Sequence, residues 1–364
     1  MIVATHVRQF LLENLKRHEA FFRRSGPGAP LIMAEYPDEE FRRDYQYGTR
    51  LSETYLSEHA YELGVKAVRN ALVMTRLEQK TGGLRCPGVF HNWGTGLTTA
   101  LFTGGDVIFE QGTTYTSGPI LQRPEDYASL RFDPDNRWVN YAVEFWRGVA
   151  SQDLEGIVVA SHAYRSPLDL ALDMRGQDLF TDLYDAPDAV DGLLRFCTES
   201  ILSLQRVLED RVPMLRSQPG GVWGVAVKPR LIFVNGDPGD LIAAPMAEQF
   251  DYPWIVMLCE QAGAVYYHHH SIGVSRSARV CRVPGLAVQQ VLQDSNGPRL
   301  EESIGDELIE ASLDTPVHLG MNLAQCKSPE AIVDRLCRGR FILEAFAPTC
   351  ERARQLVQTV ESHG

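Results

Sequence analysis

The alternation of strand-like and helical segments predicts an α/β protein with a parallel sheet. The number of strands predicts a (β/α)8 TIM barrel with an N-terminal helical extension over residues 1–30. Three observations carry this reading. Short aliphatic and β-branched runs recur along the chain, amphipathic stretches with apolar positions three and four apart lie between them, and the length of 364 residues suits one barrel with additions. No repeat, low-complexity tract or linker divides the sequence, so residues 1–364 read as a single domain.

Residues 5–24 read as an amphipathic helix, stopped by Ser25-Gly-Pro-Gly28. Residues 31–36 form a buried strand, and the charged stretch 37–45 leaves its end. A helix follows over 54–80. Residues 88–94 and 106–110 are strand-like. The stretch 112–137 is rich in Gly, Pro, Asp and Thr and reads as a long loop, a kind of segment that tends to carry function. After a helix at 138–152, residues 156–163 form a strand. Short helices cover 168–175 and 178–184. Asp185-Ala-Pro-Asp188 supplies an N-cap and a first-turn proline for a helix reaching about Arg211. Strands then fall at 231–237, 264–270, 286–292, 317–323 and 340–346, with helices at 244–262, 301–312, 328–338 and 349–361. The barrel needs eight strands. The surplus candidate is 106–110, expected as an excursion over the barrel mouth.

The most informative segment is Ala264-Val-Tyr-Tyr-His-His-His-Ser-Ile-Gly273. Successive side chains of a strand point to opposite faces. His268 and His270 therefore share a face, and His269 points away to a structural role. Two imidazoles on one face at a strand end offer two corners of a metal site.

Composition narrows the function. The net charge is −12, and no Lys/Arg-rich run is present, so nothing favours a nucleic-acid partner. No run approaches the ~20 apolar residues of a membrane-spanning helix, and the N-terminus lacks the apolar core of a signal peptide. The seven cysteines are odd in number and form no CxxC, which fits reduced thiols of a cytoplasmic protein. There is no phosphate loop, no Gly-x-Ser-x-Gly and no HExxH.

From about residue 85 onward the chain resembles the uroporphyrinogen decarboxylase superfamily. The segments that carry the resemblance begin with Val89-Phe-His-Asn-Trp-Gly-Thr-Gly96, Leu130-Arg-Phe-Asp-Pro-Asp-Asn-Arg-Trp138, Ser166-Pro-Leu-Asp-Leu170, Met174-Arg-Gly-Gln-Asp-Leu-Phe180 and Tyr184-Asp-Ala-Pro187. They continue with Asn235-Gly-Asp-Pro-Gly-Asp-Leu-Ile242, Met246-Ala-Glu-Gln-Phe250, Tyr267-His-His-His-Ser-Ile-Gly273 and Val283-Pro-Gly-Leu286. The superfamily consists of TIM barrels and includes porphyrinogen decarboxylases, zinc-dependent corrinoid methyltransferases and uncharacterised relatives. The chain looks most like the last group. Two departures stand out. The Arg/Gly-rich N-terminal signature of the decarboxylases is missing: Arg42 and Arg43 stand in an acidic setting. The His-x-Cys of the methyltransferases is His268-x-His270 here, and in place of a cysteine near the last strand the chain offers Glu344.

The resemblance implies an active site at the C-terminal strand ends. Asp237, His91 and Tyr36 are the candidate catalytic residues. Asn92, Trp93, His162, Arg165 and Asn322 are candidates for substrate binding, and His268, His270 and Glu344 for binding the metal. The favoured expectation is a zinc-dependent methyltransferase. It would move a methyl group between a corrinoid carried by a partner protein and a thiol or other small-molecule substrate. The alternative is a metal-free decarboxylase, with Asp237 as acid or base and Arg42, Arg43 or Arg165 holding carboxylates. A third reading is a barrel that binds a tetrapyrrole or corrinoid protein without turnover, using the loop 91–96. A homodimer is the default assembly.

Overall fold

The computed structural model describes residues 5–38, 51–91, 93–110, 113–160, 163–323, 326 and 328–363. Thirteen strands are present among them. They are β1 (Leu31–Glu35), β2 (Gly88–Phe90), β3 (Val107–Glu110), β4 (Thr113–Thr116), β5 (Val158–Ala160), β6 (Ala163–Arg165), β7 (Gly221–Val222), β8 (Val225–Ala226), β9 (Leu231–Asn235), β10 (Ala264–His270), β11 (Val288–Leu292), β12 (Val317–Met321) and β13 (Phe341–Phe346). Seven form one parallel sheet in the order β1-β13-β12-β11-β10-β9-β6, and β2 pairs in parallel with β5. The protein is therefore α/β with a parallel sheet. Among the described residues β1 and β2 form no ladder; one backbone hydrogen bond, from Leu84 N–H to the Ile32 carbonyl at 2.9 Å, spans that seam.

Burial follows the two-residue period of the strands. Leu31, Met33, Phe233, Tyr266, Val288 and Ile342 pack together on one face. Ile32, Ala34, Val291, Leu319 and Leu343 pack on the other, under the helices. Strand β10 is buried on both faces, apart from the partly exposed His270. The first face is filled by the hairpin β7–β8 and the helix Thr5–Arg23. Trp223 and Gly224 at the hairpin tip both have positive φ, 47° and 81°, as a two-residue type I′ connection requires. The helices Glu53–Thr81 and Arg137–Ala150 cross at Gly64 and Gly148. A Cβ there would meet the Phe145 carbonyl oxygen at 1.9 Å and the Tyr61 carbonyl oxygen at 2.0 Å, so only glycine permits the approach.

Most elements stand near their expected places. The segment 106–110 contains β3, which forms an antiparallel pair with β4 outside the main sheet. The stretch 112–137 is not one long loop, because it holds β4 and the 3-10 turn Pro124–Ser129. The helix Thr95–Thr103 was not legible. Its four threonines and a glycine have poor helix propensity, but the hydroxyls of Thr98, Thr99 and Thr103 donate to carbonyls four residues back at 3.0–3.2 Å. The helix expected at 244–262 divides into Ala244–Phe250 and Tyr252–Gln261, since Pro253 supplies no amide proton to continue it. Among the described residues no helix is long and apolar enough to cross a membrane. All seven cysteines are free, and four of them are buried.

His18 ties the first helix to the rest. Its Nε2–H donates to the Leu84 carbonyl at 2.8 Å, and its Nδ1 accepts from Ala226 N–H at 3.1 Å. Burial lowers its pKa from 6.5 to about 4, against the pull of those two backbone partners. The unfolded chain takes up a proton near pH 6.5, and the buried ring does not until about 4. His18 therefore adds stability that is complete above pH 6.5 and is lost as pH falls towards 4. The loss should reach about 3 kcal/mol. Urea unfolding of wild type and His18→Gln at pH 7.5 and 4.5 checks this: the wild type should lose more stability on acidification than the variant.

Candidate metal centre

The histidine strand ends where three ligand-type side chains converge. Asp237, His268 and His270 each place one donor atom within 4.8 Å of the others. His268 and His270 lie on the same face of β10, with ring centroids 4.7 Å apart. His269 points the other way. It accepts from Gln289 Nε2 at 2.7 Å, and its Nδ1 lies 3.3 Å from Asp240 Oδ1.

Hydrogen bonding fixes which nitrogen of each ring faces the group. His268 Nδ1–H donates to Gln290 Oε1 at 2.7 Å. The Gln290 amide is oriented by its Nε2 donating to His318 Nδ1 at 3.3 Å; that nitrogen also accepts from the Tyr266 hydroxyl. His270 Nδ1–H donates to Asp294 Oδ1 at 2.7 Å. Both protons are thus committed outward, and the two Nε2 lone pairs face each other at 3.1 Å. Asp237 Oδ1 lies 3.7 Å from His270 Nε2 and has no hydrogen-bond partner among the described residues. Three acceptors aimed at one point repel unless a cation or a proton lies among them. Burial lowers the His268 pKa to about 3, against the Gln290 hydrogen bond that favours the charged form, so the ring stays neutral in the physiological range.

The donor set suits a divalent ion. A tetrahedral zinc ion with bonds of about 2.0–2.1 Å to nitrogen sets neighbouring ligand atoms about 3.3 Å apart; two of the three separations here are 3.1 and 3.7 Å, and the third is within 4.8 Å. Outward partners such as Gln290 and Asp294 are the usual means of fixing ligand histidines.

A charged network holds Asp237 in place. Asn235 Nδ2 donates to Asp237 Oδ2 at 2.7 Å. Behind it, Arg276 donates to Asp240 at 2.6 Å, to Asp251 at 3.1 Å and to the Gly236 carbonyl at 2.9 Å. Tyr267 donates to Asp251 at 2.8 Å. Burial raises the Asp237 pKa, opposed by His270 and Arg165.

The other expected site residues distribute differently. Glu344 does not join the group. Arg85 Nη2 donates to it at 2.9 Å, within a cluster that also holds Glu35 and Glu78, and the third acid beside the histidines is Asp237. His91 is buried against Trp93 and Phe145, with centroids 3.7 and 5.1 Å away, so both site candidates of this pair sit in an aromatic core contact. Arg165 is clamped by Asp173 at 3.0 Å and Asp169 at 3.2 Å. Asn322 follows β12, and its Oδ1 is buried without a partner among the described residues. Tyr36 donates to Asp38 at 3.2 Å. Asn92, His162, Arg42 and Arg43 lie outside the described residues.

A cavity of about 930 Å³ opens at the seam between β1 and β2, lined by Glu35, Tyr36, Arg85, Trp223 and Glu344 among others. The Trp223 ring packs edge-on against His268 at 4.9 Å, joining cavity and histidines. Gln290, Asp294, Arg85 and Trp223 were missed in the sequence. The one available signal was the polar Gln289-Gln290 pair inside an aliphatic strand.

Fold and site together define an α/β protein with a candidate His/Asp metal centre at the C-terminal ends of a parallel sheet. A methyltransferase from Methanosarcina mazei has a similar structure. The TM-score is 0.61 over 96% of this chain and 98% of that one, at 11% sequence identity. No family model matches the sequence, and no curated protein matches it.

Removing the cation behind the site should be costly. Arg276→Met leaves Asp240 and Asp251 buried without their partner, and it should destabilise the fold by about 3–5 kcal/mol. Denaturant titration of the variant measures this directly.

Proposed function

We propose that the chain is a TIM barrel of the uroporphyrinogen decarboxylase superfamily acting as a zinc-dependent methyltransferase. The barrel would close at the β1–β2 seam and where β5 leads into β6. The observation that carries the activity is the convergence of His268 Nε2, His270 Nε2 and Asp237 Oδ1, with both Nδ1 protons held elsewhere. The full-length likeness to a methyltransferase structure supports it.

In this reading His268, His270 and Asp237 hold the metal. Bound there, zinc would keep a substrate thiol as its thiolate at neutral pH. The methyl donor would be a corrinoid presented by a partner protein: the thiol would give up its proton, its sulfur would take the methyl group, and the electron pair of the broken bond to methyl would stay with the corrinoid. Gln290 and Asp294 hold the two rings in their ligand tautomers. Two neutral imidazoles and one carboxylate make a harder site than one with thiolate ligands.

Decarboxylation of a polycarboxylate finds less support. Among the described residues, Arg85 already faces three carboxylates and Arg165 two. Neither is free to hold a substrate's acid groups.

The test is elemental analysis of purified, tag-free protein after zinc reconstitution. Wild type should carry near-stoichiometric zinc, and the His268→Ala/His270→Ala protein none. Asp237→Ala should weaken binding and Glu344→Gln should retain it. Gln290→Leu should cost about 10–100-fold in affinity. A metal-free wild type, or full zinc in the double variant, would overturn the reading.

A further inference from the structure

The cavity at the β1–β2 seam joins two features that the metal centre does not use. Its walls are aromatic, with Tyr36, Phe90, Trp223 and Phe346 among the lining residues. Its charge is unbalanced. Arg85 Nη2 lies 2.8 Å from Glu35 Oε1 and 2.9 Å from Glu344 Oε1, and Arg85 Nε donates to Glu78 Oε1 at 2.9 Å. At the rim Asp38 accepts from Lys80 Nζ at 2.8 Å. Among the described residues four carboxyl groups thus face two cations, and burial raises the pKa of Glu35 and Glu78, so part of the acid excess is held as protons that a bound cation would displace.

We propose that this cavity binds an organic cation, so that the small substrate carries an ammonium group. Glu35 and Glu344 supply the countercharge, and Trp223 and Tyr36 supply the aromatic surfaces on which alkylated ammonium groups are held. The volume of about 930 Å³ leaves room for more than the charged group. Trp223 lies against both the cavity and the His268 ring, so a chain running from the ammonium group past Trp223 leads to the metal centre. Only the last step, an aminothiol as methyl acceptor, rests on the proposed methyl transfer; the cation site does not.

The probe is tetramethylammonium, titrated into metal-free wild-type protein by calorimetry and by tryptophan fluorescence, with tert-butanol as the neutral isostere. Saturable binding is expected, weakened about tenfold or more in Trp223→Leu and in Glu35→Gln. Thermal melts confirm that the variants are folded, and Glu35→Gln keeps the shape of the side chain if Trp223→Leu does not fold. No saturation by about 20 mM, a range that still detects weak sites, would overturn the proposal. So would equal binding of tert-butanol or unchanged affinity in Glu35→Gln. Zinc analysis is scored separately. Cation binding without zinc sinks methyl transfer and leaves the cavity assignment standing; zinc without cation binding does the reverse.

Discussion

A strand buried on both faces leaves its polar atoms little water, and β10 is such a strand up to its last residue, with His268 and His269 buried and His270 half-buried at its end. Each ring nitrogen must find a partner within the protein or face a cost of roughly 1–3 kcal/mol. The outer ring, His269, meets Gln289 and Asp240. The inner rings each meet one acceptor at Nδ1, Gln290 and Asp294. What remains is a pair of lone pairs at 3.1 Å beside an unpartnered carboxylate oxygen. The neighbouring elements are arranged around this constraint. The turn after β9 brings Asp237 to the histidines, the residue two beyond β11 brings Asp294, and β11 itself brings Gln290.

The alternation that divides the three histidines was legible in the sequence, because the period of a strand does not depend on its neighbours. Asp237 was legible as well, as an acid just beyond a strand in a turn-forming Asn-Gly-Asp-Pro-Gly. What could not be read was the lateral spacing of strands. Glu344 occupies a plausible height on the last strand. But β12 and β11 lie between its strand and β10, and a guanidinium from the segment before β2 reaches it first. The surroundings of His91 were hidden for a related reason. It follows β2 as expected, yet the chain turns at once into the helix Thr95–Thr103, and the ring packs with Phe145 of another helix. No local pattern announces that partner.

The seam between β1 and β2 is the second organising feature. Among the described residues a single backbone hydrogen bond bridges it, and the space it leaves is a recess of about 930 Å³ at the strand ends. A regular ladder there would bring the two strands to within about 5 Å of each other and remove the cavity. The helix Thr5–Arg23, pinned by His18 to both Leu84 and Ala226, reaches the chain on the β2 side of this seam and the hairpin whose tip is Trp223. The shape of the recess therefore depends on a contact made by the first helix, none of whose residues lines it.

Cavity and histidines are also joined by a chain of polar contacts. Arg85 holds Glu344, whose Oε2 lies 3.8 Å from His318 Nε2; His318 Nδ1 accepts from Gln290, and Gln290 accepts from His268. With His318 Nδ1 an acceptor, its proton is on Nε2 and points towards the carboxylate. The polarity of the whole chain is then set from the acid end. A negative Glu344 favours the Nε2–H form of His318, which keeps the Gln290 amide oriented with its oxygen towards His268. That orientation leaves His268 Nε2 free of a proton. The acids of the cavity and the lone pair offered at the candidate metal centre thus lie at the two ends of one chain of polar contacts.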